Sequence, residues 1–237
     1  MASRMLKRMA ARLPTAMLQE LERLHFGRQI RKSKFYTSEP EYALLNRWVS
    51  LGDWVVDVGA NVGHYTLEMS RLVGATGRVV AFEPVPRTAS LLLANVLAAD
   101  ARNVSVINAA LSSNTSVSSM AWPKGAGGVN NYYEAQLAPE SQLPPDARVL
   151  TVTLDSFRFP NRISLVKIDV EGHELDALKG MRSVLTSDKP ILVVEGIASD
   201  VASFLSDFGY DSQYIKGSPN SIFSPVAAVR TTAAGRR

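Results

Sequence analysis

The stretch WVVDVGANVGHY, residues 54–65, decides how the chain is read. Its first half is apolar and β-branched, the composition of a buried strand. Its second half breaks sharply into Gly59, Asn61 and Gly63. Residues 64–73, HYTLEMSRLV, then set Tyr65, Met69, Leu72 and Val73 on one face of a predicted helix. Glycines in such a break allow left-handed backbone and close approach of a ligand, and the helix that follows starts with free N–H groups. The stretch reads as a strand, a ligand-facing turn and a helix.

Outward from it, the same alternation continues. RVVAFEP (78–84), VSVINAAL (104–111), ISLVKIDV (163–170) and PILVVEG (190–196) are predicted strands. TASLLLANVLAAD (88–100), ELDALKGMRSVL (174–185) and SDVASFLSDF (199–208) are predicted helices. Continuously apolar strands alternating with helices imply a mostly parallel sheet covered on both faces, an α/β doubly wound, Rossmann-like domain. YDSQYI and NSIFSP read as two closing strands joined by a tight turn at Lys216–Pro219. Residues 112–148, rich in Ser, Asn, Gly and Pro, are too long for an idle connection and suggest an inserted hairpin on the substrate side. The domain therefore spans residues 38–225, with a frayed tail at 226–237. Residues 1–37 form a helical extension broken by Pro14, with Met17, Leu18, Leu21 and Leu24 at helical spacing. Packing against the domain is the plainer expectation for it, and a lid over the ligand the sharper one.

Composition narrows the class. The 237 residues are 46% hydrophobic and 20% charged, ordinary for a globular protein, and contain no cysteine. Disulfides and thiolate metal sites are thereby excluded, which fits a reducing compartment. No apolar run approaches a membrane span and no signal-like segment opens the chain, so a cytoplasmic protein without a transmembrane segment is expected. The net charge of +4 conceals a division: residues 1–37 carry +7, the tail +3 and residues 38–229 a net of −6. An acidic body does not suit a nucleic-acid partner. The basic arm suits peripheral contact with an anionic lipid surface or a phosphorylated partner, and a solvated terminus is the plainer reading.

Which ligand sits at the break follows from its chemistry. In doubly wound sheets, ligands bind at the carboxyl ends of the strands. Glu83 ends the second strand twenty residues after Gly63, placed to accept both hydroxyls of a ribose. A dinucleotide loop would read G-x-G-x-x-G, whereas here Asn61 stands where a glycine would admit pyrophosphate, and Asp57 adds negative charge. An adenosyl sulfonium carries no phosphate and is positive, so these residues favour S-adenosyl-L-methionine over NAD.

The order VDVGANVGHYT, RVVAFEP, LVKIDVEGHELDALKG, NSIFSP resembles the FkbM family of S-adenosylmethionine-dependent methyltransferases, over roughly residues 39–225, with KIDVEG (167–172) the most distinctive part. The resemblance implies the class I methyltransferase fold, seven strands with the last antiparallel. It implies that Gly59, Asn61 and Gly63 form the cofactor loop, that Glu83 holds the ribose, and that Ala110, within Asn108–Leu111, lies beside the adenine. Members of the family methylate hydroxyls of macrolides and of sugars in glycolipids and lipo-oligosaccharides.

Methyl transfer to a hydroxyl needs alignment of the acceptor and a group to take its proton. Asp169, Glu171 and His173 end the fourth strand, and in an extended chain they share one face. One of them is expected to orient the acceptor and one to act as base. A divalent cation held by the three is the alternative, but the spacing matches no metal signature and none is expected. The bland reading makes Glu171 and Glu174 first-turn acids and His173 a surface residue. His64 is expected to shape the pocket, and Lys167 to be a paired structural lysine. Glu195, Asn130, Asn131, Tyr132 and Tyr133 are the substrate-side candidates, with Trp122 nearby. The expectation is an O-methyltransferase acting on a sugar hydroxyl of a glycoconjugate. A macrolide hydroxyl, an NAD-dependent oxidoreductase and a catalytically silent binding module are the rival readings.

Overall fold

The computed structural model describes residues 14–123, 135–138, 147–196 and 199–226. The chain enters through α1 (Thr15–Arg31) and a 3-10 helix (Pro40–Arg47). It then alternates through β1 (Trp54–Val58), α2 (His64–Val73), β2 (Arg78–Phe82), α3 (Pro86–Ala98) and β3 (Val104–Ile107). β4 (Ala110–Leu111), β5 (Ser116–Ala121), β6 (Gln136–Ala138) and β7 (Ala147–Val152) follow. The last third comprises β8 (Ile163–Ile168), α4 (Glu174–Lys179), α5 (Arg182–Ser187), β9 (Ile191–Glu195), α6 (Ser199–Asp207), β10 (Tyr210–Tyr214) and β11 (Asn220–Pro225).

Seven strands form one sheet in the order β10-β11-β9-β8-β1-β2-β3, in which β11 runs antiparallel to both β10 and β9 and the other pairings are parallel. The expected doubly wound sheet with an antiparallel last strand is what the chain forms. Alternation along β1 divides the core: Val55 joins Leu45, Met69, Leu165, Val193 and Ile222 on one face. Val56 and Val58 join Phe82, Ile168, Leu178, Leu185 and Leu205 on the other. A strand buried on both faces has no polar side to present, which is why WVVDV shows no polar alternation.

Three expectations are corrected. The run 104–111 is not one strand: it divides after Ile107, where the Asn108 amide donates to the Glu83 and Pro84 carbonyls at 2.8 and 3.0 Å. The inserted segment builds more than a hairpin, a second sheet in the order β4-β7-β5-β6. The helix expected over 174–185 is two helices that part at Gly180, where a side chain would collide with the Ser112 carbonyl.

The extension also packs differently from the reading of its apolar spacing. α1 lies on α3 through Gln19 to Ser90 (3.2 Å) and a Glu22–Arg87 ion pair (2.7 Å), with Phe26 and Ile30 against Phe35. Met17, Leu21 and Leu24 face outward, 55%, 50% and 45% exposed. Among the described residues no helix is long and apolar enough to cross a membrane.

Candidate active site

Gly59 begins the break with φ of +75°, and its N–H and that of Ala60 donate to the Phe82 carbonyl at 3.0 and 2.9 Å. A side chain at Gly59 would collide with the carbonyl of Asp169 on the neighbouring chain segment. The glycine is thus demanded by the sheet as well as by any ligand. Gly63 caps α2 with φ of +97°, and a Cβ there would meet Leu92 of α3 at 2.6 Å. Its neighbours Val62 and His64 border a cavity at the strand ends, so the same glycine serves helix packing beside that surface.

Asn61, at φ +49°, holds a left-handed conformation that asparagine tolerates better than most residues. Its N–H donates to Glu83 Oε2 and the N–H of Val85 to Glu83 Oε1, both at 2.9 Å. Glu83 is buried, and burial pushes its carboxyl up to about 7 despite these two donors. Asp57 is wholly buried; its Oδ2 accepts from Thr66 Oγ1 at 2.5 Å while its Oδ1 has no partner. Burial raises its pKa too, with Lys167 opposing the rise.

The carboxyl ends of the strands enclose a cavity of about 310 Å³. Glu83 and Val85 wall it at the end of β2, Ala109, Ala110 and Leu111 beside β4, and Asp169, Glu171, His173 and Glu195 at the ends of β8 and β9. Met120 and Leu137 of the second sheet close one side. A smaller cavity of about 160 Å³ shares Glu39, Gly59, Asn61 and Asp169 with it and adds Thr37, Asp57, His64 and Lys167. A larger cleft of about 990 Å³, walled by Tyr36, Arg71, Arg78 and Asn103, lies by the amino ends of β2 and β3. That edge is the wrong one for a ligand held by the glycine break.

Beneath these cavities lies a buried cation. Lys167 Nζ bonds Asp169 Oδ2 at 2.8 Å and sits 4.6 Å above the Tyr65 ring. Burial alone would lower the lysine, but Asp169 and Asp57 raise it above its ordinary value. Burial likewise works against the charge on Asp169, and Lys167 outweighs it, leaving that carboxyl low. Glu195 is pushed the other way, up to about 8, by burial and by facing Asp169. The carboxylates of Asp169, Glu171 and Glu195 come within 4.8 Å of one another. Such a trio is close enough for a cation, yet Lys167 already occupies Asp169 and Glu195 is driven towards its neutral form; hydroxyl donors suit it better.

The extended geometry expected for residues 169–173 does not occur. β8 ends at Ile168, and Glu171 and Gly172 turn with φ of +53° and +92°. Glu171 reaches Asp169 through that turn rather than by strand periodicity. His173 still borders the cavity, but its Nε2 is engaged with Ser112 Oγ at 2.9 Å, and burial lowers its pKa. His64 stacks on Phe35 with ring centres 4.2 Å apart and is likewise lowered by burial, consistent with a shaping role. Asn130, Asn131, Tyr132 and Tyr133 lie outside the described residues.

Sequence reasoning missed Glu39, which borders both cavities while its Oε2 accepts from Tyr65 Oη at 2.5 Å. Glu41, from the same acid-rich EPEY turn, also accepts from Tyr65 Oη, at 3.0 Å. That turn, just ahead of β1, was the available signal. Nothing local in the sequence marks Met120 and Leu137 as cavity walls.

The ligand these surfaces suit is rich in donors and positive. The buried atoms without partners at the loop, Asp57 Oδ1 and Asn61 Oδ1, are both acceptors. Each Glu83 oxygen receives one backbone N–H and keeps capacity for another donor, as a ribose diol requires. A pyrophosphate would bring only further acceptors and negative charge; an adenosyl sulfonium with its amino group and hydroxyls complements the site. The fold is that of the S-adenosylmethionine-dependent methyltransferases, and the site suits that cofactor. The sequence model of the Methyltransferase FkbM domain matches residues 57–212, more than half of the chain, and the chain belongs to that family.

Relatives agree at that level. "Methyltransferase 1" of Beauveria bassiana is 31% identical over 148 residues, 54% of this chain and 58% of that protein. "Hexuronic acid methyltransferase AglP" of Haloferax volcanii is 28% identical over 167 residues, 69% of this chain and 66% of its own length. The crystal structure of methyltransferase FkbM from Methylobacillus flagellatus KT shares the fold with a TM-score of 0.55 at 18% identity, over 73% of this chain and 43% of that one. The chain thus spans little more than half of the Beauveria protein and less than half of the Methylobacillus one.

Proposed function

We propose that the protein transfers a methyl group to a hydroxyl of a sugar carried on a glycoconjugate such as a glycolipid or lipo-oligosaccharide. One observation carries this reading: Asp169, Glu171 and Glu195 bring their carboxylates within 4.8 Å of one another beside the cofactor loop. Carboxylates only accept hydrogen bonds when ionised, and neighbouring sugar hydroxyls are donors spaced to meet them. Across the cavity, Val85, Met120 and Leu137 offer an apolar wall for the non-polar face of a ring. The name of the Haloferax relative, which specifies a hexuronic acid, supports a sugar in general. The acidic floor here favours a sugar without a carboxylate of its own, because like charges facing one another in a partly dry pocket repel.

Bound S-adenosylmethionine supplies an electrophilic methyl group on a positive sulfur. The chain's own residues do the rest. Glu83 and Asn61 fix the nucleoside, Asp57 and Glu39 meet the positive amino-acid end, and the trio at β8 and β9 aligns the acceptor oxygen. Holding two reactants in line is the largest gain available to such an enzyme.

The test is an assay of S-adenosylhomocysteine release with S-adenosylmethionine and a panel of neutral glycosides, hexuronates and hydroxylated macrolactones, with the products identified by NMR. An O-methylated neutral glycoside is the expected product. Turnover restricted to macrolactones, or to carboxylates, would overturn the acceptor assignment.

A further inference from the structure

We infer that Glu195 is the group that takes the acceptor's hydroxyl proton, with Asp169 and the buried Lys167 acting behind it as positioning residues. The inference rests on the hydroxyl-methylation reading above. Asp169, Glu171, His173 and Glu195 all border the cavity floor. Glu171 sits on the left-handed turn after β8 at φ +53°, and the surroundings of the other three separate them. Asp169 is tied to Lys167 at 2.8 Å, and a carboxylate paired with a buried ammonium has little appetite for a proton. His173 spends its Nε2 on Ser112 Oγ at 2.9 Å, and its Nδ1 lies towards Asp176 at 3.8 Å, turned from the other carboxylates. Glu195 ends β9 at the cavity wall, and among the described residues no ion pair joins it to a cation. A carboxylate among carboxylates binds a proton tightly, which is what a base needs when the hydroxyl is weakly acidic.

The groups that face Glu195 are all acidic or neutral. Asp169 at the end of β8 faces it directly, with Glu171 in the next turn and Glu174 at the start of α4 adding repulsion. From β11 its register partner is the uncharged Asn220, and Glu39 borders the same cavity. The ion pair of Lys167 is with Asp169 and not with Glu195. By keeping Asp169 ionised, Lys167 maintains the negative neighbour that holds the proton on Glu195. In the step itself, Glu195 accepts the hydroxyl proton while the hydroxyl oxygen bonds the methyl carbon and the carbon–sulfur electron pair stays on sulfur. The sulfonium becomes a neutral thioether, and the positive charge leaves as the proton now on Glu195. The next turnover begins when that proton passes to water.

The experiment has two arms on the full chain. In the first, the protein labelled with ¹³C at glutamate side-chain carboxyls is titrated without any ligand. One glutamate is expected to titrate at about 8, to vanish in Glu195→Gln, and to move to lower pH in Asp169→Asn. In the second, kcat is followed against pH with a sugar acceptor. The wild-type rate rises with pH through that glutamate's titration, since the ionised form is the active one. Glu195→Gln abolishes the rise and lowers kcat on the order of 10²–10⁴-fold, while calorimetric binding of S-adenosylhomocysteine stays within about twofold, which also reports an intact fold. Loss of the rise in His173→Ala with its survival in Glu195→Gln would overturn the inference. So would the absence, in a protein that does methylate a sugar hydroxyl, of a raised glutamate titration that Glu195→Gln removes and Glu83→Gln leaves in place, and there the hydroxyl reading would stand. A protein that methylates only carboxylates or amines would instead remove the hydroxyl reading, and the role of Glu195 with it.

Discussion

Gly59 and Glu83 show what single positions were asked to do. Gly59 combines a positive φ with a carbonyl lying where a side chain would go, so both backbone strain and overlap oppose Gly59→Ala. Overlap with backbone cannot be relieved by a rotamer change, and a loss of about 2–4 kcal/mol is expected in urea unfolding. Gly63→Ala meets only the end of the Leu92 side chain and should cost less. Glu83 gives a pH signature. Burial raises its carboxyl from 4.5 to about 7, so the folded state holds the proton more tightly than the unfolded chain does. Its favourable share of stability is therefore full below 4.5, declines as pH rises and is gone above about 7. Hydroxyl donors from a nucleoside favour the ionised carboxylate, so affinity for S-adenosylhomocysteine should strengthen between pH 6 and 8, roughly an order of magnitude for one unit of linked pKa change. Calorimetry at both pH values would show it, with Glu83→Gln flattening the dependence. The roles of Gly59, Asn61, Glu83 and Asp169 as neighbours of one cavity were legible because each sits at a strand end, where fold class alone dictates location. The engagement of His173 with Ser112 was not, since those residues are 61 positions apart and meet only through the second sheet.

At the scale of elements, strands and helices with one unbroken buried face were readable to within a residue or two: α2 occupies the very span its periodicity predicted. Misreadings fell where a distant segment intervenes. The Ser112 carbonyl lies where a side chain at Gly180 would go, at the break between α4 and α5, and between β3 and β4 the Asn108 amide holds the Glu83 and Pro84 carbonyls after β2. α5 depends on another such intervention. It has no side-chain cap of its own, and Asp155 instead accepts from the N–H groups of Ser183 and Val184 at 2.9 and 3.2 Å. A carboxylate at a helix start satisfies orphan donors and the helix dipole together. Asp155→Ala should lower stability by roughly 1–2 kcal/mol without altering cofactor affinity, as thermal unfolding with and without S-adenosylhomocysteine would register. Equal losses in stability and affinity would mean that α5 also shapes the site.

The molecule as a whole is held across its length by polar groups as well as by its core. Glu41, wholly buried ahead of β1, receives the Tyr65 hydroxyl at 3.0 Å and the side-chain amide of Asn220 at the start of β11. Removing a donor from a buried carboxylate exposes the cost of its burial. Asn220→Ala should therefore cost about 1–3 kcal/mol, read as a lower urea midpoint with an unchanged slope. The overall architecture was legible from the alternation of apolar strands and helices, because a parallel sheet leaves few other arrangements. The Glu41–Asn220 link was not, since neither residue signals a partner 179 positions away. That link has a bearing on how the chain is made. Ribosomal synthesis delivers the glycine break and its glutamate well before Asn220, the residue beside which the wall that carries Glu39 is pinned, 179 positions after Glu41. The nascent chain can assemble the adenosine side of its pocket while the rest is still in the tunnel, but the opposite wall waits for β11 to insert between β9 and β10. Ligand present during translation would thus find a half-built receptor until β11 is in place.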